Sequence, residues 1–148
     1  MLANIKNDLL YLLNMIEGIE KIFIYSNNFK NAEEFFEYNE QLNFNATLNL
    51  FGLIGENAGK ISKELKDNYN KLEWQKLKDF RNKVVQDYVN LDVFIVFRII
   101  KEELKNSKEY LEEIVKEELK SGNFSKEEYE ISKKSIYYKH INYAKLDF

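Results

Sequence analysis

Apolar residues recur at helical spacing from one end of the chain to the other. Ile5, Leu9, Leu12, Leu13, Ile16, Ile19 and Phe23 lie three or four apart, marking one amphipathic face. Ser26, Asn27 and Asn28 interrupt it. Asn31 followed by Glu34 reads as an N-cap with a first-turn carboxylate and predicts a second helix from 32 to about 40. The most regular series is Phe44, Leu48, Phe51, Gly55, Ala58, Ile61 and Leu65. Leu50, Leu53 and Ile54 widen its apolar surface, which places this third helix centrally. Gly52, Gly55 and Gly59 fall inside it, each costing about 1 kcal/mol relative to Ala. Close approach of a second helix is the ordinary reason to keep such glycines, and approach of a ligand is the other. Residues 67–72 read as a loop. Asn70 is expected to cap a fourth helix, with Glu73 three positions on and Trp74, Leu77, Phe80, Val84 and Val85 on its apolar side. Asn90-Leu91-Asp92-Val93 opens a further capped segment, expected from about 91 to 118. After the break at Ser121-Gly122-Asn123, Ser125 and Glu128 form a capping-box signature for a short last helix. The expectation is an all-α, mostly antiparallel bundle of about five helices over residues 1–118. Residues 119–148 are expected to form a C-terminal extension that packs on the bundle or on a dimer mate.

Composition narrows the chemistry. The chain has 148 residues, 45% apolar and 15% aromatic, with no proline and five glycines, so one domain with a real core is expected and a turn-dense all-β fold is not. The absence of cysteine excludes disulfides, thiolate metal sites and a cysteine nucleophile. His140 is the only histidine, so chemistry that needs two within one chain is excluded. Glu33, Glu34 and Glu37 read as an ordinary solvated face, and neither a metal nor a cofactor is expected. No Gly-x-x-x-x-Gly-Lys-Ser/Thr phosphate loop occurs. The net charge of −3 argues against a global electrostatic grip on nucleic acid. Lys76, Lys78, Arg81 and Lys83 nonetheless make one segment locally basic. His140 stands among Tyr137, Tyr138, Tyr143 and Lys139, either a base-stacking group or, more simply, part of a terminal segment docking on its own bundle or on its dimer mate. No apolar run of about 18 residues exists and no basic leader precedes a cleavage site, so a cytoplasmic protein without a membrane span is expected.

The informative stretch is Trp74-Gln-Lys-Leu-Lys-Asp-Phe-Arg-Asn-Lys-Val-Val-Gln-Asp-Tyr88. It holds Arg81-Asn82, four residues between Arg81 and Gln86, and Tyr88 two positions further on. This pattern resembles the HEPN superfamily, specifically the HepT-like toxins paired with minimal nucleotidyltransferases. Their motif is Arg, commonly a polar residue, a spacing of four to six, His, and then Tyr two positions after it. Gln86 occupies the position of the His. Gly55-Glu56-Asn57-Ala58 resembles the Gly-Glu-Ala-Ala helix of the same subgroup. The Trp before Asp79-Phe80-Arg81-Asn82 and the Leu91-Asp92-Val93-Phe94 continuation also follow its habit. Together these features span about residues 1–115.

The resemblance implies a HEPN-like helical fold and a metal-independent endoribonuclease, acting as a toxin on RNA and neutralised by a cognate nucleotidyltransferase antitoxin. Arg81 can hold phosphate oxygens in a bidentate fork. Asn82 can bind phosphate or orient residue 86. A histidine at 86 would move protons near neutral pH, whereas the amide of Gln86 can only position by hydrogen bonding. The expectation is therefore an impaired nuclease as the sequence stands. Tyr88 matches the residue to which the nucleotidyltransferase attaches AMP from ATP, placing phosphate beside Arg81. Glu56 is a supporting candidate that can hydrogen-bond Arg81. On a regular helix, residues 81 and 86 lie about 140° apart and 81 and 88 within about 20°. Family members answer this by pairing motif helices of two subunits, so a homodimer is expected. Two alternatives stand beside this reading: a non-catalytic HEPN module that binds a nucleotidyltransferase or a nucleotide, and a purely structural helical interaction domain.

Overall fold

The computed structural model describes residues 2–86 and 92–148, with side chains from 7 to 82 and from 92 onward. Among the described residues the regular structure is all helical: α1 (Leu2–Ser26), α2 (Ala32–Lys60), α3 (Lys63–Asn68), α4 (Trp74–Gln86), α5 (Val93–Arg98), α6 (Leu104–Lys120) and α7 (Lys126–Ser132). One π-helical turn, Ile99–Glu103, joins α5 to α6, so the expected long segment is present with a local widening. Leu9, Leu12, Leu13, Met15, Ile16, Ile19 and Ile22 of α1 are each at most 1% exposed. Full burial of such a side chain stabilises by about 1.5–3 kcal/mol, so α1 anchors the core. α2 packs along α1 on one side and along α4 on the other, the central place its wide apolar surface predicts.

The helix over Ala32–Lys60 is bent where the sequence divides it. Tyr38 is extended, and Asn39, Glu40 and Gln41 follow with φ of 50°, 56° and 66°. Left-handed backbone costs about 1–2 kcal/mol at each non-glycine residue. Aromatic contacts oppose that strain: Phe29 meets Phe35 and Tyr38 at 5.5 and 5.1 Å, and Phe44 meets Phe35 and Phe36 at 5.9 and 4.9 Å.

Two boundaries differ from expectation. The third helix was expected to run through Leu65, but it stops at Lys60, Ile61 is extended and Ser62 caps α3. The cause is Asp8, whose buried carboxylate accepts the Ser62 N–H at 2.9 Å and its hydroxyl at 2.5 Å. Ile61 and Leu65 are both buried, so periodicity alone does not reveal the break. Asn70 does not cap the fourth helix, which begins only at Trp74. The Trp74 indole N–H donates to the Tyr69 carbonyl at 3.1 Å, and the Leu77 N–H takes the Glu73 carbonyl. Asn90 lies outside the described residues, and Asp92 is the side chain that caps α5, accepting from the Phe94 N–H.

Gly122 ends α6 at φ +83°, a left-handed turn that returns the chain towards the bundle. Ser125 caps α7 by accepting the Glu128 N–H at 3.1 Å. Two 3-10 turns, Ile136–Tyr138 and Tyr143–Lys145, follow. The Tyr138 hydroxyl donates to Asn14 Oδ1 at 2.7 Å, and the His140 N–H donates to Glu17 Oε1 at 2.7 Å. Ile141 and Leu146 are buried in the core.

Glu112 is the outlier inside that core. It is 4% exposed, and its Oε2 has no hydrogen-bond partner. Burial pushes its pKa above the ordinary 4.5, against the pull of Lys108 and Lys145. The folded state therefore holds this proton more tightly than the unfolded chain does. The penalty is absent below the ordinary value and is felt in full once pH has risen through the raised one. Glu112→Gln should remove that component. Thermal unfolding followed from pH 5 to 8 should show a variant that gains on the wild type as pH rises.

Candidate active site

α4 buries Trp74, Leu77 and Phe80 and leaves Lys78, Asp79, Arg81 and Asn82 exposed. Phe80 anchors this arrangement, its ring meeting Phe51 of α2 edge-on at 4.9 Å. Beside it the two helices touch at Gly55. A Cβ built on Gly55 would lie 2.6 Å from Arg81 Cβ, 2.7 Å from Arg81 N and 2.9 Å from the Leu77 carbonyl oxygen. Only a glycine admits this approach. It fixes the backbone of Arg81 against the centre of the bundle while its side chain reaches solvent. No hydrogen bond or ion pair ties the Arg81 guanidinium to another described residue. An exposed guanidinium, unpaired among the described residues and carried on a fixed stretch of backbone, suits a phosphate group.

The neighbouring candidates divide. Asn82 is exposed beside Arg81. Glu56 follows Gly55 but is exposed, with its carboxylate 3.6 Å from the Lys60 ammonium rather than on Arg81. Lys76 is neutralised by Glu73 and Glu103. Lys78 lays its stem over Gly59, and its charge helps to push the pKa of Lys66 down, after burial. Lys78 and Arg81 thus lie one turn apart on the exposed side of α4, with Lys66 of α3 close enough to Lys78 to feel its charge. Gln86 ends α4, and its side chain, like that of Lys83, lies outside the described residues, as does Tyr88 altogether. The backbone is helical through 86, so positions 81 and 86 stand about 140° apart around its axis.

Away from this surface, the His140 ring sits with Nδ1 2.6 Å from Glu17 Oε2. Tyr143 packs on Tyr129 and pairs with Ser132. These groups are engaged within the chain, while Tyr137 is 75% exposed. Sequence reasoning missed Asn14 and Asn57, whose side chains join α1 to α2 at 2.9 Å. The one available signal was that Asn57 stands where the Gly-Glu-Ala-Ala pattern has an alanine. Among the described residues no group of acidic or histidine side chains is placed to hold a metal ion, and no helix is long and apolar enough to cross a membrane.

Comparison with known proteins bears on this surface. Residues 14–114 match the family model described as Ribonuclease HepT-like. The chain is 25% identical over 114 residues to "Gamma-glutamylcyclotransferase and putative RNase MJ0434" of Methanocaldococcus jannaschii, covering 77% of this chain and 50% of that protein. It is 26% identical over 107 residues to "Putative RNase MJ1216" of the same organism, covering 72% of this chain and 86% of that protein. The chain therefore spans half the length of the first relative and most of the second. No solved structure matches it significantly.

Proposed function

Because the chain belongs to the Ribonuclease HepT-like family, we propose that it is the scaffold of a metal-independent endoribonuclease in which Arg81 holds the scissile phosphate. The observation that carries this reading is the seating of the Arg81 backbone on Gly55, from which an exposed guanidinium, unpaired among the described residues, reaches the surface. Asn82 lies beside it as a second polar contact for phosphate. The reaction transfers the phosphate from the 5′-oxygen of one nucleotide to the neighbouring 2′-oxygen, so one proton must leave and another must arrive. Gln86 occupies the position for that proton transfer and has no proton to exchange at neutral pH. As the sequence stands, the nuclease is impaired. The separation of positions 81 and 86 around α4 supports a composite cleft made by two copies across a two-fold axis.

In this reading the chain is a cytoplasmic toxin partnered by a nucleotidyltransferase antitoxin. The antitoxin transfers AMP from ATP to the Tyr88 hydroxyl, releasing pyrophosphate, and the added phosphate would compete with RNA for Arg81. Gln86 itself favours a second reading, a non-catalytic module that keeps the nucleotidyltransferase but not the cleavage. Growth of cells producing the Gln86→His chain separates the two. Growth arrest, relieved by co-production of the nucleotidyltransferase and no longer relieved once Tyr88→Phe is added, supports the toxin. Unimpaired growth with the folded variant present supports the binding module.

A further inference from the structure

The turn of α2 that seats Arg81 is also held from its other side. Asn57 donates from Nδ2 to the Leu53 carbonyl at 2.8 Å, bracing residues 53–57, with Gly55 at their centre. Asn57 Oδ1 accepts from Asn14 Nδ2 at 2.9 Å, and Asn14 Oδ1 accepts from the Tyr138 hydroxyl at 2.7 Å. All three bonds donate in the same direction, so each polarises the next. Asn57 is 7% exposed, which makes an unmade bond there costly. One turn further along α1, Glu17 accepts the His140 N–H at 2.7 Å and contacts its ring at 2.6 Å. Near Gly18 the helices close again, with Ile54 and Leu53 side-chain atoms 3.4 Å from a Cβ built there. The braced turn is thus wedged between α1 and the backbone of Arg81.

We propose that the C-terminal extension is a positioning element for Arg81, with Tyr138 acting through Asn14 and Asn57 on the α2 turn against which Arg81 is seated. The close approach at Gly55 leaves no slack, so a shift of that turn moves the Arg81 backbone with it. The matched family region runs from residue 14 to 114, so Asn14 and Asn57 lie within it and only the Tyr138 end of the brace lies beyond it. The consequence for catalysis rests on the ribonuclease reading; the mechanical coupling does not.

The test is amide hydrogen exchange on the full-length chain, comparing wild type, Tyr138→Phe and Tyr129→Phe. Tyr129 is a matched control in the same extension, because its hydroxyl contacts Asp147 Oδ1 at 2.6 Å and the Tyr143 carbonyl at 3.4 Å and, among the described residues, makes no bond to α1 or α2. Tyr138→Phe should speed exchange in segments 53–59 and 77–82 about fivefold, the worth of one net hydrogen bond. Tyr129→Phe should leave those segments unchanged. Equal acceleration by both variants, or none by Tyr138→Phe, overturns the proposal. In the Gln86→His background, Tyr138→Phe should lower kcat for RNA cleavage with little change in KM. Lost protection in 77–82 with kcat unmoved also overturns the positioning role. If the Gln86→His chain cuts no RNA at all, the ribonuclease reading fails, and exchange alone decides whether the brace exists.

Discussion

Gln86→His is expected to raise metal-free RNA cleavage about 10²–10⁴-fold, the usual worth of one positioned acid–base group. Cleavage by the neighbouring 2′-hydroxyl requires proton transfer at two oxygens and charge stabilisation at the phosphate. Arg81 supplies the charge, since it is exposed, unpaired among the described residues and fixed at its backbone. An amide at 86 supplies no proton, whereas an imidazole titrates near pH 6.5. The gain should therefore carry a pH profile, with a limb close to that value that the unsubstituted chain lacks. Adding Arg81→Ala should return the rate to the starting level. Arg81→Lys should recover only part of it, because a single ammonium lacks the two-pronged geometry. Initial rates on one RNA across pH 5–8 check each of these expectations.

Gly55→Ala is expected to destabilise the fold by up to about 2 kcal/mol and to lower cleavage in the Gln86→His background at least about tenfold. Helix propensity alone favours alanine by about 1 kcal/mol. Against that stand contacts of 2.6, 2.7 and 2.9 Å to Arg81 Cβ, Arg81 N and the Leu77 carbonyl oxygen. None of these atoms is the end of a flexible side chain, so the whole of α4 must shift, and overpacking of this kind typically costs about 1–3 kcal/mol. The moved backbone carries the guanidinium out of place, and small misplacements are expensive in rate. Gly59→Ala is the natural comparison. Its added Cβ meets Lys78 side-chain atoms at 3.7 Å and beyond, which is ordinary contact. That variant should gain up to about 1 kcal/mol. Denaturant unfolding of both variants reads the difference in sign.

The sequence told these two glycines from the surface but not from each other. Both lie in an apolar helix, and the packing that separates them depends on which side of α4 each one meets. The period of Phe44, Leu48, Phe51 and Gly55 was enough to expect a central helix, because burial on two faces leaves a broad apolar stripe. The same period misled at Ile61 and Leu65, since a bend made by Asp8 and Ser62 keeps both residues buried. Arg81 was singled out by the spacing of its motif. Its seat was legible only as a glycine in need of a neighbour. The Asn14–Asn57–Tyr138 brace was not legible, because asparagines carry no periodic signal and the partners stand 43 and 124 positions apart. Glu56 was expected near Arg81 because its glycine-rich helix could face the motif helix, and helix geometry instead turns it towards Lys60 one turn on.

The most direct test is cleavage of a mixed RNA substrate in the presence of a chelator. The proteins compared are the chain as it stands, Gln86→His, and Gln86→His with Arg81→Ala, each shown to be folded by circular dichroism. The expected result is cutting by Gln86→His and by neither of the others. Folded proteins of which none cuts, or a double variant that cuts as fast as Gln86→His, would contradict a phosphate-holding role for Arg81 in RNA cleavage.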